Sequence, residues 1–343
     1  MHTRPYTLRP YTLAALAVAS LALTACSSGG TDEESPTAGT SDAPATSESA
    51  TAGTGATAQE CLPVPGEQLV VLEDDMMLQN SDNIIPALNA DAASQDVLDV
   101  LAAVSGALDT PTLIELNKSV DIDRQTSEEV AEAWVEQAAL DIAESGDGSL
   151  TIGAANFSEN ITLAEIYADA LDMAGYDTEV REIGNRETYL PALESGEIDI
   201  VPEYAATFTE FLEGDVETAV ASGDITETVA ALEPLAEERG LVVGEPAEAQ
   251  DQNAFAVTQG FVDQYGVTTL SQLAESCGGI VLGGPPECPE RPFCQPGLED
   301  TYGIEVAEFR SLDAGGPLTK NAITTGEIAL GLVFSSDGAL ATS

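Results

Sequence analysis

From Gly148 onward the chain alternates short apolar runs with amphipathic stretches, and this alternation restricts the fold more than any other feature. Residues 149–154 read as a strand, 156–159 as a capping loop, 161–173 as a helix and 177–183 as a second strand. A helix at 188–195 is stopped by Gly196, and 198–201 form a buried strand ending at Pro202-Glu203-Tyr204. A second block spans 254–334, with strands at Val257-Thr258, 280–282, Ala307-Glu308-Phe309 and 330–334. Strands that alternate with helices imply an α/β fold of mainly parallel sheets flanked by helices. Open sheets of this kind bind ligands at the carboxyl ends of their strands. The loops that fall there are 156–158, 203–207, 283–291 and 335–337.

Upstream of this block the pattern is mostly helical. Residues 68–72 make a short β-branched run that ends in acidic residues. Val97, Leu98, Leu101, Val104 and Leu108 recur at helical spacing, and Thr110-Pro111 opens a further helix with proline in its first turn. A third helix is expected over 127–143, with Val130, Trp134 and Val135 on one face; Trp134 reads as core.

The first 60 residues have another character. Arg4 and Arg9 precede an apolar stretch over 13–23 and then Thr24-Ala25-Cys26. A basic head, a short hydrophobic run and small residues before a cut site make a secretory signal. The run is too short for a permanent span, and no later segment is long and apolar enough for one. Leu23-Thr24-Ala25-Cys26 resembles the bacterial lipobox, which implies lipid on Cys26 and a place on the extracytoplasmic face of the cell membrane. Residues 27–60 are almost all Ser, Thr, Ala, Gly, Asp and Glu, the composition of a disordered tether. About 280 residues follow, enough for one two-lobed body.

Charge removes several function classes. Ten Lys and Arg face sixty Asp and Glu, and Arg4 and Arg9 belong to the signal. Such an imbalance argues against nucleic acid and against polybasic docking to anionic lipid. The only histidine, His2, is lost with the signal. A mature chain without histidine has no Ser-His-Asp or Cys-His mechanism and no His-ligated metal. No phosphate-binding or hydrolase motif is present, and neither cofactor nor metal is expected.

Cys61, Cys277, Cys288 and Cys294 remain besides Cys26. An even number in an exported chain favours disulfides, in any of three pairings. The proline-rich segment from Cys288 to Cys294 looks like a loop closed on itself, and Cys61 would then pair with Cys277. The spacing is poor for zinc.

Several motifs carry a resemblance to a known family. These are Ile152-Gly153-Ala154-Ala155-Asn156-Phe157-Ser158-Glu159, the run from Tyr189 to Asp199 followed by Pro202-Glu203-Tyr204, and Gly283-Gly284-Pro285-Pro286-Glu287. Asp313-Ala314-Gly315-Gly316-Pro317-Leu318 and Phe334-Ser335-Ser336-Asp337-Gly338 follow in order. Together they resemble the glycine betaine/choline/carnitine branch of the type II periplasmic-binding-protein fold. The resemblance implies two lobes around a hinge, with 66–252 and 333–343 in the first lobe and 253–332 in the second. Relatives usually begin with the strand matched here by 149–154, so the order looks circularly permuted, and Ser343 and Glu67 are expected to lie close together.

The resemblance also implies a site. Family members hold a quaternary ammonium among aromatic faces by cation–π attraction. Tyr204 matches one such face, Phe334 occupies another, and Thr207 matches a polar contact beside them. Asn253 and Asp82 fall where two further tyrosines are expected. Each lost face removes roughly 0.5–2 kcal/mol, which the Asp82 carboxylate offsets in part. Arg291 matches the clamp for a ligand carboxylate, and Asn156 and Ser158 lie on the opening loop. The expected protein is a monomeric, non-enzymatic receptor that closes over an osmolyte and presents it to a membrane permease of an ABC importer. The rivals are another small cationic or zwitterionic ligand, a carboxylate-dependent exported hydrolase and a cell-surface interaction protein.

Overall fold

The computed structural model describes residues 61–144, 146–214 and 219–341. The signal, Cys26, the tether at 27–60 and Ser343 lie outside the described residues. Ten strands are described: β1 (Leu69–Leu72), β2 (Ile84–Asn89), β3 (Ser149–Ala155), β4 (Asp177–Gly184), β5 (Ile200–Tyr204), β6 (Leu241–Val243), β7 (Asn253–Thr258), β8 (Ile280–Gly284), β9 (Val306–Ser311) and β10 (Leu330–Phe334). They form two five-stranded sheets, ordered β4-β3-β5-β2-β6 and β9-β8-β10-β7-β1.

The two sheets share one plan. β3 runs parallel to β4 and β5, and β8 runs parallel to β9 and β10. β2 lies antiparallel to β5 and β6, as β7 does to β10 and β1. Each sheet therefore mixes two parallel with two antiparallel ladders, more evenly than strand–helix alternation suggests. Local chemistry repeats as well. A Cβ on Gly153 would lie 2.4 Å from Ile198 Cδ1, and one on Gly283 would lie 2.4 Å from Ile328 Cδ1. Only glycine lets the isoleucine side chain seat against the strand. Glu197 and Ile198 both donate backbone hydrogen bonds to the Ala192 carbonyl, as Glu327 and Ile328 do to Ala322. Tyr204 and Phe334 close the equivalent strands β5 and β10.

Helices cover both faces of the first sheet. One face carries α1 (Gln95–Ala107), α2 (Thr110–Asp121), α3 (Ser127–Ala138) and α4 (Ser158–Ala174), sharing a core with Ile84, Ile152 and Ile200. The other carries α5 (Arg186–Ser195), α6 (Ala205–Glu213) and α7 (Ile225–Glu238), around Ile85, Val201 and Phe208. Starts are set by the sequence: Ser94 and Asp109 accept from the backbone of α1 and α2, and Thr126 with Glu129 makes a capping box on α3. That helix stops at Ala138, short of the expected 143, because Ala139 turns left-handed at φ 49°. The second sheet packs Phe255, Leu282 and Leu332 on one face and Ala256, Ile323 and Val333 on the other. Both expected pairings are present: Cys61 is bonded to Cys277 and Cys288 to Cys294, each with Cα atoms 5.2 Å apart.

The sheets divide the chain differently from the expected boundaries. β1 belongs to the second sheet, because Leu69 and Val71 bury against Ala254, Ile323 and Val333. Val333 and Phe334 likewise end a second-sheet strand, while the residues after them return to α2, where Asn117 Nδ2 donates to the Ser336 carbonyl at 2.8 Å. Three segments thus pass between lobes: 73–83, 244–252 and 335–341. They are laced together, with Asp251 N–H donating to Asp82 O (3.0 Å), Ser335 N–H to Gln252 O (2.9 Å) and Gln252 N–H to Ser335 Oγ (3.0 Å). Leu340 packs on the cluster that holds Leu69, so the described chain near its end lies beside β1.

Candidate functional site

A cleft of about 670 Å³ opens where the carboxyl ends of β3, β5 and β10 meet the start of β7. The first lobe lines most of it, through residues such as Asn156, Phe157, Arg186, Tyr189, Tyr204 and Thr207. The second lobe adds Asn253, Phe293 and Phe334, and the crossing segments add Gln79, Asp82, Asp251 and Gln252.

The first-lobe wall is organised around a buried carboxylate. Glu203, on β5, is fully buried and paired with Arg186 at the start of α5, with Nε to Oε1 at 3.0 Å and Nη2 to Oε2 at 2.6 Å. Tyr189, one turn along α5, donates its hydroxyl to Glu203 Oε1 at 2.6 Å. Arg186 also donates to Thr207 Oγ1 (3.1 Å) and lies 5.6 Å and 5.8 Å from the rings of Phe211 and Phe208. Burial disfavours the Arg186 cation, but Glu203 more than offsets this and holds its pKa above the usual arginine value. Burial and Glu203 likewise raise the Tyr189 phenol. A fork bound to a carboxylate on both arms is occupied, so Arg186 positions the wall.

Asp82 stands beside this network. It is 8% exposed and accepts the Thr207 backbone N–H at 2.8 Å. Burial pushes its carboxyl up to about 6, against the opposing pull of the Thr207 N–H and Arg186. Nearby, Tyr204, 8% exposed, lines the cleft and donates its hydroxyl to Glu159 Oε1 at 2.7 Å. Glu159, at the start of α4, takes a second donor from Asn117 Nδ2 (2.5 Å). Burial raises the Tyr204 phenol, with the Glu159 carboxylate adding to it. Phe157 meets Tyr204 with ring centroids 6.1 Å apart.

The residues singled out from sequence separate into two groups. Tyr204, Thr207, Phe334, Asp82, Asn253 and Asn156 line one cleft. Ser158 does not: its Oγ donates to Asp121 Oδ1 at 2.8 Å, and it lines an adjoining cavity of about 390 Å³ that shares Phe157, Asp251 and Phe334 with the cleft. Arg291 also stands outside, in an adjoining cavity of about 340 Å³ that shares Asn253 and Phe293 with the cleft. Sequence reasoning missed Arg186, Phe211 and Phe293, and held Phe157 only as part of the loop at 156–158. Arg186 had a signal in its scarcity, as one of ten cations, just ahead of the recognisable run at Tyr189. The phenylalanines had none, since only packing shows which of them stay out of the core. Aromatic faces beside a carboxylate suit reversible capture of a cation.

Several known proteins resemble this chain. A family model described as the substrate binding domain of ABC-type glycine betaine transport system matches residues 54–137 and 148–343. The glycine betaine-binding protein YehZ of Escherichia coli (strain K12) is 25% identical over 200 residues, or 55% of this chain and 65% of that protein. The chain thus spans slightly under two thirds of that relative's length. Among solved structures, a glycine betaine/carnitine/choline ABC transporter protein aligns with TM-score 0.44 and 17% identity over 57% of this chain and 71% of that one. The unliganded open form of the periplasmic murein tripeptide-binding protein MppA aligns with TM-score 0.24 and 12% identity, over 52% and 43% of the two chains.

Proposed function

Because the chain belongs to the family of substrate-binding domains of ABC-type glycine betaine transport systems, we propose that it captures a quaternary ammonium osmolyte, glycine betaine first, for an importer. The observation that carries this reading is the pair of aromatic residues, Tyr204 and Phe334, lining the cleft from the ends of equivalent strands of the two lobes, with buried Asp82 on a crossing segment. A methylated ammonium fits a site that offers ring faces and one carboxylate, since it has no N–H to satisfy. Ligand contact with both lobes stabilises the closed arrangement, and a permease reads that arrangement. Arg291, without an ion-pair partner among the described residues, serves the ligand carboxylate from the adjoining cavity.

Calorimetric titration of the purified protein with glycine betaine tests the reading. Saturable binding supports it; no binding of any quaternary amine at millimolar concentration overturns it. Choline is the second reading, favoured by the carboxylates Asp82, Glu187, Glu210 and Asp251 along the cleft. Arg291→Ala separates the two, because it should cripple betaine binding and hardly affect choline. Delivery from a lipid anchor at Cys26 is part of the proposal, and Cys26→Ala should release the protein into the medium. So is the circularly permuted order, supported by Leu340 packing on the cluster of Leu69.

A further inference from the structure

Asp251 lies on the segment that enters β7, just as Asp82 lies on the segment that enters β2, and both line the cleft. Asp251 and Glu159 line one cavity, and Asn117 Nδ2, which donates to Glu159, also donates to the Ser336 carbonyl. Neither carboxyl has a Lys or Arg within ion-pair distance among the described residues. Both oxygens of Glu159 are already engaged as acceptors, Oε1 from the Tyr204 hydroxyl and Oε2 from Asn117 Nδ2. Ser336 Oγ donates to Asp251 Oδ1 at 2.8 Å. Two adjoining carboxyl groups with no cation between them hold one proton in common. Burial raises both carboxyls, and two donors on Glu159 against one on Asp251 favour the proton on Asp251. Burial, with Glu159 beside it, raises the Asp251 carboxyl well above the ordinary aspartate range.

Other charged groups around the pair do not supply the missing cation. Asp82 faces it from the neighbouring crossing segment and adds negative charge. Arg186 is committed to Glu203. Behind the pair, Asp121, Lys320 and Asp337 line the 390 Å³ cavity with it, and Lys320 is bonded to Asp337. Among the described residues no Lys or Arg pairs with Asp251, which leaves that place to a cationic ligand.

We propose that Asp251 is a ligand-binding carboxyl that surrenders its proton as a cationic ligand docks. In that step the Asp251 O–H bond breaks, the proton passes to solvent, and the carboxylate faces the ammonium; nothing is oxidised or reduced. The proposal rests on the ammonium reading of the cleft. It predicts that affinity rises with pH, by up to about tenfold per unit while Asp251 is protonated in the free protein.

The experiment is titration of the full chain with glycine betaine and with choline at pH 6, in buffers of different ionisation enthalpy. About one proton should leave per ligand bound. Asp251→Asn keeps an acceptor for Ser336, and should lose most of that release while still binding. Glu159→Gln should do the same, because Asp251 then ionises before ligand arrives. Asp82→Asn should lose at most the part that Asp82, at about 6, itself gives up, and keep the rest. Binding by wild type without proton release, or equal release from Asp251→Asn, overturns this inference and leaves the ammonium reading standing. Absence of any binding removes both.

Discussion

The two lobes share a strand order, yet their cleft faces are built on opposite principles. The first lobe offers an interlocked polar wall in which Arg186, Glu203, Tyr189 and Thr207 fix one another. The second offers Phe293 and Phe334, two rings that stay 38% and 39% exposed and engage in no such network. Stabilisation is divided the other way. Both disulfides lie in the second lobe, whose helices are fewer and shorter, whereas the first relies on seven helices packed over its sheet. A small core gains most from covalent closure. Together these differences describe a preorganised polar half and a stapled half that contributes bare aromatic surface.

Removal of a staple is the strongest way to break this comparison. Cys61 and Cys277 are separated by 216 residues and Cys288 and Cys294 by 6. On the chain-entropy account, Cys61→Ser/Cys277→Ser should lose about 5 kcal/mol and Cys288→Ser/Cys294→Ser about 2 kcal/mol. Hydrogen exchange should show the loss in residues 253–334 while 84–213 stay protected. Equal loss in both lobes would mean that they unfold as one unit.

A second test attacks the polar wall. Arg186→Ala leaves Glu203 buried without its partner, and about 3–5 kcal/mol should disappear from the urea-denaturation free energy. Protection should now fail in the first lobe. A near-neutral result would mean that Tyr189 and the Tyr204 N–H suffice for Glu203.

Asp82 sharpens the comparison through pH. Its folded value of about 6 lies above the ordinary aspartate value, so the native state binds more protons than the unfolded chain between those values. Stability contributed by this group therefore falls as pH rises from about 4 to about 6 and stays low above that. Asp82→Asn keeps the acceptor for Thr207, and at pH 7.5 should be about 1–2 kcal/mol more stable than wild type, with no gain near pH 3.5. The same variant should bind ammonium ligands more weakly, most clearly at low salt. If stability and affinity both fall, Asp82 is a structural anchor.

The smallest effect belongs to Ser158. Its hydroxyl points to Asp121 outside the cleft, so Ser158→Ala should change ligand affinity by less than roughly twofold.

What was legible in the sequence follows from the range of each signal. Alternating runs and caps act over a few residues, so the strands around β3, β5, β8 and β10 and the helices α1 and α2 could be read directly. β2 escaped because Pro86 interrupts an otherwise plain apolar run and reads against a strand. In the structure Pro86 faces Pro202, which confines both missing donors to one rung. β1 was read as a strand but placed in the wrong sheet, since its apolar side chains do not say which neighbour will bury them. In the site, Tyr204, Thr207 and Asp82 came from motif position. The placing of Glu159 and Asp251 in one cavity joins α4 to a crossing segment far along the chain, and no local pattern encodes it.

The bond between Cys61 and Cys277 also has a mechanical meaning. A pull delivered through the residue at which the described chain begins enters the second lobe by a covalent link and, through β1, by a strand of that lobe's own sheet. The load path ends there without crossing the three laced segments. Under such a pull the second lobe would be the held one, and load would reach the first lobe only through the three laced segments.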